Sequence, residues 1–472
     1  MSLFLPELAL ISMALVFFFL SLGKPTSSFV QRVALVQAVV VFMISVAAYS
    51  ASGDLFFDAY KVDTFSQIFK IILTLGLAVV IALGAGLKGI TKELSAEYYM
   101  FLTLSVLGLV FLVSSVELLT IVISLEISSF ALYVIIPFRF QDGYKREMEA
   151  GIKYVMFGAI STGISLYGMS YIFGMAHTTY LKDLQTVLPP LVQTQPIIII
   201  GLVMMLGSFF YKLAMFPMHF WAPDVYEGAA NETTSFIATL PKVGAVALLL
   251  RLVSLAGFDL SQVTWILAVL AVLSMTIGNL SALVQDDLKR LLAYSSIAHA
   301  GYVMVAVLCA NELGYKAAVY YIGGYMLMNL ACFYVIYNVS ENGENVSLEG
   351  LKGLYKRSPL LALVLAVAAF GMAGMPPTVG FMGKFMIFTG AIQKSLYAIV
   401  ILAVINAGIA AYYYLRMVRA AYINCDDEID RITLGVPTYC LGVLFVIAIL
   451  AIGLFPQPFM EMASAAVKTI IF

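Results

Sequence analysis

Long apolar segments alternate with short polar ones along the whole chain. A helix that crosses the hydrocarbon core of a bilayer needs about 20 consecutive, mostly apolar residues. By this criterion we predict fourteen spans, at roughly residues 3–22, 29–51, 64–86, 97–114, 117–138, 149–174, 196–217, 233–256, 262–284, 290–310, 314–338, 359–391, 396–422 and 433–455. The pattern therefore predicts an all-α polytopic membrane protein with about 14 transmembrane helices.

Two of these spans are predicted to be broken. The segment 359–391 is too long for one straight span and contains GMAGMPPTVG in its middle, and the seventh span has Pro217 near its end. Proline removes a backbone donor, which frees carbonyl groups inside the membrane. Broken helices at matched positions are typical of transporters that contain repeats of inverted topology. Since the breaks lie five spans apart, we expect two inverted five-helix repeats, spans 4–8 and 9–13.

This pattern divides the chain into four parts. We predict an N-terminal three-helix segment at 1–95, a first repeat at 96–256, a second repeat at 262–424, and a C-terminal helix and tail at 425–472. The N-terminal stretch lacks a basic leader and a small-residue cleavage site. We interpret it as the first span and not as a signal peptide.

The composition narrows the classes of function. Hydrophobic residues make up 62% of the chain and charged residues only 11%, against about 25% charged in soluble domains. The net charge of −1 gives no basic surface for nucleic acid. The cysteines are scattered, the three histidines lie far apart, and there is no Walker sequence and no GxGxxG after a strand. We therefore expect no metal site and no cofactor site on this chain.

The distribution of basic residues indicates an orientation. Loops after odd-numbered spans hold most of the lysines and arginines, among them Lys88, Arg139 and Arg290, whereas Lys70 and Arg251 are assigned to the opposite face. The positive-inside rule then places both termini outside. The loop 221–232 departs from this trend, because it is acidic on the predicted inner face.

Several charged residues are predicted to lie within the spans. A charge at mid-membrane costs about 2.5–3.5 kcal/mol on insertion scales, so each one needs a partner or a function. Lys153 lies near the start of its span, where its amine could instead extend to the interface. The others lie deeper. The residues are Glu126, Lys153, Lys212, Lys242 and Lys384.

These groups have the chemistry of a proton path. Desolvation disfavours a charged lysine and a nearby carboxylate favours it, so a buried Glu–Lys pair can hold or release a proton. His299 lies about nine residues into the tenth span. It is either a hydrogen-bonded packing residue or a proton relay, and the sequence leaves both open.

Four stretches of the sequence resemble the antiporter-like membrane subunits of respiratory complex I. They are MFPMHFWAPDVYEGA (215–229), LPKVGA (240–245), DLKRLLAYSSIAHAGYVMV (287–305) and GMPPTVGFMGKF (374–385). Related cation/proton antiporters and membrane-bound hydrogenases use the same scaffold and are the alternative. A structural membrane scaffold, whose charges only hold helices together, is a third possibility.

The resemblance implies a fold and a function. It implies fourteen spans, discontinuous helices seven and twelve, and proton pumping in the bacterial inner membrane by a glutamate and several lysines. By motif these residues are Glu126, Lys153, Lys212, Lys242 and Lys384. It also implies that NADH, FMN, iron–sulfur clusters and quinone bind to partner subunits, and that the partners are other membrane subunits of the complex.

Overall fold

The structure is a computed structural model that describes residues 2–140, 145–255, 261–424 and 431–470. The predicted domain boundaries at 256 and 425 lie outside the described residues.

The N-terminal segment contains three helices and a short hairpin. Asp63 begins the third helix by accepting a hydrogen bond from the Ser66 amide, and the Ser66 hydroxyl accepts one from the Asp63 amide. This reciprocal cap satisfies amides that the helix leaves free. The elements are α1 (Leu5–Ser21), α2 (Ser27–Ala47), β1 (Gly53–Leu55), β2 (Tyr60–Val62) and α3 (Thr64–Leu83).

The middle of the chain forms nine helices within the described residues. A stretch of 3-10 helix precedes the first of them at Lys92–Leu94, and another follows the second at Ile136–Phe138. The helices are α4 (Ser95–Ser114), α5 (Leu118–Ile135), α6 (Lys145–Ala176), α7 (Leu181–Thr194), α8 (Pro196–Met205), α9 (Gly207–Leu213), α10 (Trp221–Gly228), α11 (Asn231–Ile237) and α12 (Leu240–Leu255).

The remaining helices pack against α3, α10, α11 and α12 or against one another. They are α13 (Ser261–Leu283), α14 (Leu288–Leu308), α15 (Glu312–Val339), α16 (Leu354–Arg357), α17 (Pro359–Ala373), α18 (Val379–Gln393), α19 (Tyr397–Tyr422), α20 (Val436–Leu454) and α21 (Gln457–Ile470).

Within the described residues, 12 helical segments are long and apolar enough to cross a membrane, and α1 and α17 are shorter apolar helices. Each predicted span overlaps at least one helix, with ends that differ by a few residues. The hairpin β1–β2 is a departure from the all-α prediction, and α7, α10 and α16 lie in segments predicted as connections. The architecture is that of a multi-pass helical membrane protein.

Both predicted breaks are present, and their local geometry is the same. Helix α9 ends at Ala214 with φ 55°, and α17 ends at Gly374 with φ 86°. The Phe210 carbonyl accepts from the Met215 amide at 2.7 Å, and the Phe370 carbonyl accepts from Met375 at 2.9 Å. In this left-handed helix ending, an amide beyond the helix satisfies a carbonyl of the last helical turn. The chain then resumes in α10 and α18.

Candidate functional site

Lys212 lies in the last turn of α9, at the first break. Its side chain is 3% exposed, and its Nζ has no hydrogen-bond partner among the described residues. Glu126 on α5 is close enough for its charge to act on Lys212. However, Glu126 Oε1 accepts a hydrogen bond from the Thr162 hydroxyl at 2.6 Å. The two predicted partners are therefore neighbours, with the carboxylate held by Thr162.

Aromatic side chains fix the position of this break. The Tyr211 hydroxyl donates to the Tyr154 carbonyl at 2.8 Å, and the Trp221 indole donates to the Tyr211 carbonyl at 3.1 Å. The second bond joins α9 to α10 across the interruption. It adds a second donor to a carbonyl near the end of α9 that also accepts from the Ala214 amide at 2.9 Å.

Lys242 lies in the first turn of α12 and is also buried. Its Nζ donates to the Ser296 hydroxyl on α14 at 2.7 Å and lies 6.0 Å from the centre of the Tyr325 ring. Ser296 in turn donates to the Ala293 carbonyl at 2.7 Å. The ammonium is thus held by one hydroxyl and an aromatic face, which is a mild restraint for a charged group.

His299 lies one turn beyond Ser296 on α14, and both of its ring nitrogens have partners. Nδ1 is 2.6 Å from the Tyr321 hydroxyl and Nε2 is 2.9 Å from the Tyr414 hydroxyl. The Tyr414 hydroxyl also lies 2.5 Å from the Ser295 hydroxyl. A neutral imidazole donates at one nitrogen and accepts at the other, so these bonds suit both a packing role and a relay role.

Lys384 on α18 reaches back to the second break. Its Nζ donates to the carbonyls of Met372 and Ala373 at 2.9 and 3.1 Å, and it lies 4.9 Å from the centre of the Tyr302 ring. The carbonyl end of a helix carries partial negative charge. The end of α17 therefore holds the ammonium in place of a carboxylate.

The predicted residues form two groups. Lys242 binds Ser296, one turn before His299 on α14, and Lys384 lies against the Tyr302 ring, whose centre is 6.2 Å from that of His299. Lys242, His299 and Lys384 therefore form one group. Glu126 and Lys212 form the other group, near the first break.

Lys153 belongs to neither group. Its Nζ lies 2.5 Å from carboxylate oxygens of both Glu149 and Asp224, and its side chain is 35% exposed. Arg290 also binds Asp224, at 2.8 Å, and Glu227, at 2.7 Å. These ion pairs neutralise Asp224 and Glu227, two of the three acids of the loop 221–232.

Sequence reasoning missed a buried ion pair in the N-terminal segment. Glu7 Oε1 lies 2.6 Å from Lys70 Nζ, both side chains have no exposure, and the Tyr60 hydroxyl donates to Glu7 at 2.6 Å. The charge distribution places Lys70 on the outer face, but the structure shows that its side chain is buried inside the protein. A second missed pair joins Arg251 to Asp63 at 2.7 Å. The available signal was the position of Glu7 and Lys70 inside predicted spans.

Within the described part of the chain, no group of three or more His, Cys, Asp or Glu side chains is arranged to hold a metal ion. The buried groups can accept, hold and release protons.

The chain is similar to known proteins over nearly its whole length. Residues 115–410 match the family described as NADH:quinone oxidoreductase/Mrp antiporter, transmembrane. NADH-quinone oxidoreductase subunit N 2 of Opitutus terrae is 45% identical over 99% of this chain and 98% of its own. A chain of respiratory complex I from Thermus thermophilus with bound aureothin has 29% identity and a TM-score of 0.83, covering 98% of this chain and 100% of that one. A chain of the Mrp complex from Dietzia has the same fold, with 17% identity, a TM-score of 0.87, and coverage of 100% and 97%.

Proposed function

Because this chain belongs to the NADH:quinone oxidoreductase/Mrp antiporter transmembrane family, we propose that it is the proton-translocating subunit N of a complex I. In this role it couples electron transfer from NADH, or another donor, to quinone in partner subunits with proton pumping through its own buried groups. The 45% identity to a subunit N over almost the full chain favours this assignment over a gradient-driven antiporter, since the chain of the Mrp complex from Dietzia is only 17% identical.

The observation that carries the proposal is the arrangement of amines at the two breaks. Lys212 and Lys384 both lie beside the carbonyl end of a half-helix, and the pair Lys242–His299 lies near Lys384. Buried groups held by hydroxyls, aromatic rings and helix ends can exchange protons without breaking a strong ion pair. Groups that only hold helices together would be paired directly with opposite charges.

The finer architecture follows the same proposal. The 12 long spans together with α1 and the two halves α17 and α18 correspond to fourteen crossings. The matching ends of α9 and α17 favour two inverted repeats, spans 4–8 and 9–13. The four predicted parts, 1–95, 96–256, 262–424 and 425–472, follow this division. The excess of basic residues after odd-numbered spans favours a bacterial inner membrane with both termini on the periplasmic side.

The redox centres and the quinone site are proposed to lie on partner subunits, and the partners to be neighbouring membrane subunits of the complex. This chain would then respond to them through charge. A change in the charge state of a neighbouring subunit moves Glu126 away from Lys212 or towards it. This movement changes the proton affinity of the Lys212 amine. Lys212 passes its proton to Lys242, and the proton continues through the His299 region to Lys384 and the outer face.

Movement of one charge against a membrane potential costs about 2.3 kcal/mol per 100 mV. A change of two or three pKa units in a proton-carrying group is enough to cover that cost, since each pKa unit corresponds to about 1.4 kcal/mol. In this scheme Lys153, which lies in the cluster with Asp224 and Arg290, is proposed to supply protons from the inner face.

Purification of the native assembly tests the proposed function. A tagged chain is extracted in mild detergent, and the assembly is analysed on a native gel and assayed for quinone reduction. We expect iron–sulfur proteins in the same band as the chain, together with donor-dependent quinone reduction. An assembly that contains only antiporter-like subunits, and exchanges cations for protons without any electron donor, would establish the antiporter alternative instead.

A further inference from the structure

Glu232 is a buried carboxylate to which the mechanism above assigns no role. It is the second residue of α11 and is 1% exposed. Its Oε1 accepts from the Gly89 amide at 3.3 Å, whereas its Oε2 has no hydrogen-bond partner among the described residues. A carboxylate enclosed in this way is costly unless water or a proton satisfies it.

The cations around Glu232 are engaged elsewhere. Lys88, Arg139 and Lys289 all act on it electrostatically. Lys88 Nζ donates to the carbonyls of Tyr337 and Ser340 at 3.0 and 2.7 Å, and Lys289 Nζ donates to the Ala229 carbonyl at 2.7 Å. Their charge stabilises the carboxylate without closing an ion pair on it.

The other titratable groups that face Glu232 are tyrosines. Tyr98 and Tyr99 on α4, and Tyr337 on α15, all interact with its charge. The Tyr99 hydroxyl is buried and, like Glu232 Oε2, has no partner among the described residues. Buried polar atoms of this kind are normally satisfied by ordered water, which also conducts protons.

Two hydroxyl side chains, which donate to main-chain carbonyls, separate Glu232 from Lys242 along the chain. Ser235 and Thr239 lie between them at spacings of three and four residues, so all four fall on one side of α11 and the start of α12. The Ser235 hydroxyl donates to the Glu232 carbonyl at 2.7 Å, and the Thr239 hydroxyl donates to the Ser235 carbonyl at 2.6 Å. Each hydroxyl oxygen keeps lone pairs that can accept from a neighbour. Ten residues at the rise of an α-helix correspond to about 15 Å, roughly half of the hydrocarbon thickness, and a turn at residues 238–239 interrupts the helix between α11 and α12.

Glu232 lies directly beneath one surface of the protein. The α3–α4 loop covers it so closely that a Cβ at Gly84 would lie 2.9 Å from Glu232 Cγ. Ala85 and Gly86 in the same loop are exposed. Arg139, a basic residue of the loop after the fifth predicted span, shows which face of the membrane this is. Its guanidinium donates to the carbonyls of Glu227 at 2.6 Å and Gly343 at 3.1 Å. This is the face that the charge distribution assigns to the cytoplasm.

We propose that Glu232 is a proton-uptake site, which takes protons from the face covered by the α3–α4 loop and delivers them along Ser235 and Thr239 to Lys242. The site is separate from the cluster of Lys153, Asp224 and Arg290. It rests on the proposed function, since Lys242 must be a proton carrier for the delivery to matter. A purely structural Glu232 would only anchor the loop through the Gly89 amide.

The substitution Glu232→Gln separates these two roles. The glutamine amide oxygen can still accept from the Gly89 amide and the volume is conserved, but the side chain no longer binds a proton. The assembled complex is compared in inside-out vesicles, whose outer medium is the cytoplasmic face. Pumping and quinone reduction are followed as the external pH is varied. Glu341→Gln is the control, because Glu341 is an exposed acid on the same face.

We expect Glu232→Gln to lower the pumping rate by about tenfold or more, the scale of a lost proton-transfer group. The loss should be largest at alkaline external pH, where protons are scarce. Thr239→Val should give a smaller loss with the same pH trend, and Glu341→Gln should match the parent. Melting of the assembled complex should change little in all three.

The parental pumping rate and pH profile in an assembled Glu232→Gln complex would overturn the uptake site. So would a loss of activity that follows only a loss of assembly. Lys242→Met is measured beside it. If Lys242→Met abolishes pumping while Glu232→Gln does not, only the uptake site is wrong. If neither variant affects pumping, the proposed function itself fails.

Discussion

At the residue scale, the buried amines differ in how firmly they are held. Lys384 has two carbonyl acceptors and an aromatic ring at 4.9 Å. Lys242 has the Ser296 hydroxyl at 2.7 Å, the Ser296 carbonyl at 3.5 Å and a more distant ring at 6.0 Å, and Lys212 has no hydrogen-bond partner among the described residues. An ammonium without an acceptor is costly in a dry interior. This gradient makes Lys212 the group most easily influenced by a nearby change in charge, which suits the first step of the proposed relay.

Asp224 gives a pH-dependent prediction outside the membrane spans. Burial raises the pKa of Asp224, but hydrogen bonds from Lys153 and Arg290 lower it by more, so the pKa lies below its usual 3.8. A lowered pKa means that the carboxylate stabilises the fold above the usual value and loses this effect as the pH falls through the lowered one. Asp224→Asn should therefore destabilise equally between about pH 5 and 8, by about 0.2–1 kcal/mol.

Thermal melting of the purified complex across pH tests this prediction. The difference between the parent and Asp224→Asn should shrink as the pH falls below about 3.8 and disappear once the pH is below the lowered pKa. Asp183→Asn, in an exposed acid that accepts only from Thr178 among the hydrogen bonds described, should melt like the parent throughout. A difference that grows as the pH is lowered would contradict the ion-pair account.

The sequence identified the buried lysines but not all of their partners. A lysine in an apolar span is energetically unfavourable, so it stands out in the sequence as a candidate functional residue. Lys212, Lys242 and Lys384 could be predicted in this way. The acceptors for Lys384 are backbone carbonyls exposed by a helix break, which no residue type reveals. Glu232 lies in a connection between predicted spans, where an acid is expected to be exposed. It is buried because the α3–α4 loop, from another part of the chain, covers it.

At the element scale, both breaks end in a left-handed residue, but only the second break, at Gly374, has a residue that tolerates this backbone without a Cβ penalty. Gly374 has φ 86°, and a Cβ there would lie 2.9 Å from Lys384 Cδ. Gly374→Ala should cost about 1–2 kcal/mol from backbone conformation. It should also displace the Lys384 amine from the carbonyls of Met372 and Ala373. We expect a lower melting temperature and slower pumping.

Gly323→Ala is the matched control. Gly323 lies in α15, and among the described residues no atom beyond its own stretch of helix lies within 4 Å of the position that a Cβ would take. Alanine should therefore be neutral or slightly stabilising there. Equal effects of the two substitutions on melting and pumping would show that the left-handed ending and the Lys384 contact do not matter.

Helix positions followed from hydrophobic length, because a membrane span requires a long apolar run. The breaks followed from Pro217 and the pair Pro376–Pro377. The hairpin β1–β2 and helix α7 could not be predicted in the same way. They lie in mixed polar stretches that are too short for a span, and α7 contains Pro189 and Pro190, which argue against a helix from sequence alone.

At the scale of the whole molecule, buried charges join the N-terminal segment to the rest. Helix α3 packs against α12 and α15, and α1 packs against α4. The pair Asp63–Arg251 connects the start of α3 to α12, the helix that carries Lys242. The segment is therefore docked on the relay helix itself.

Substitutions in the ion pair Glu7–Lys70 test how the N-terminal segment is stabilised. Lys70→Met leaves a buried carboxylate without its cation, which should cost about 3–5 kcal/mol. The double variant Glu7→Gln with Lys70→Met should recover most of that loss, since the Tyr60 hydroxyl can still donate to the amide oxygen. The measurement is melting of the complex for the single and double variants. Additive losses in the double variant would show that the two side chains do not interact.

In the proposed mechanism, Lys212 carries protons whose movement is coupled to quinone reduction. The most direct measurement is proton uptake into sealed inside-out vesicles together with quinone reduction, for Lys212→Met, the parent, and Lys394→Met as an exposed-lysine control. Assembly is verified on a native gel. We predict that Lys212→Met assembles and that both activities fall together, while Lys394→Met matches the parent. Unchanged pumping and quinone reduction in assembled Lys212→Met would contradict the account.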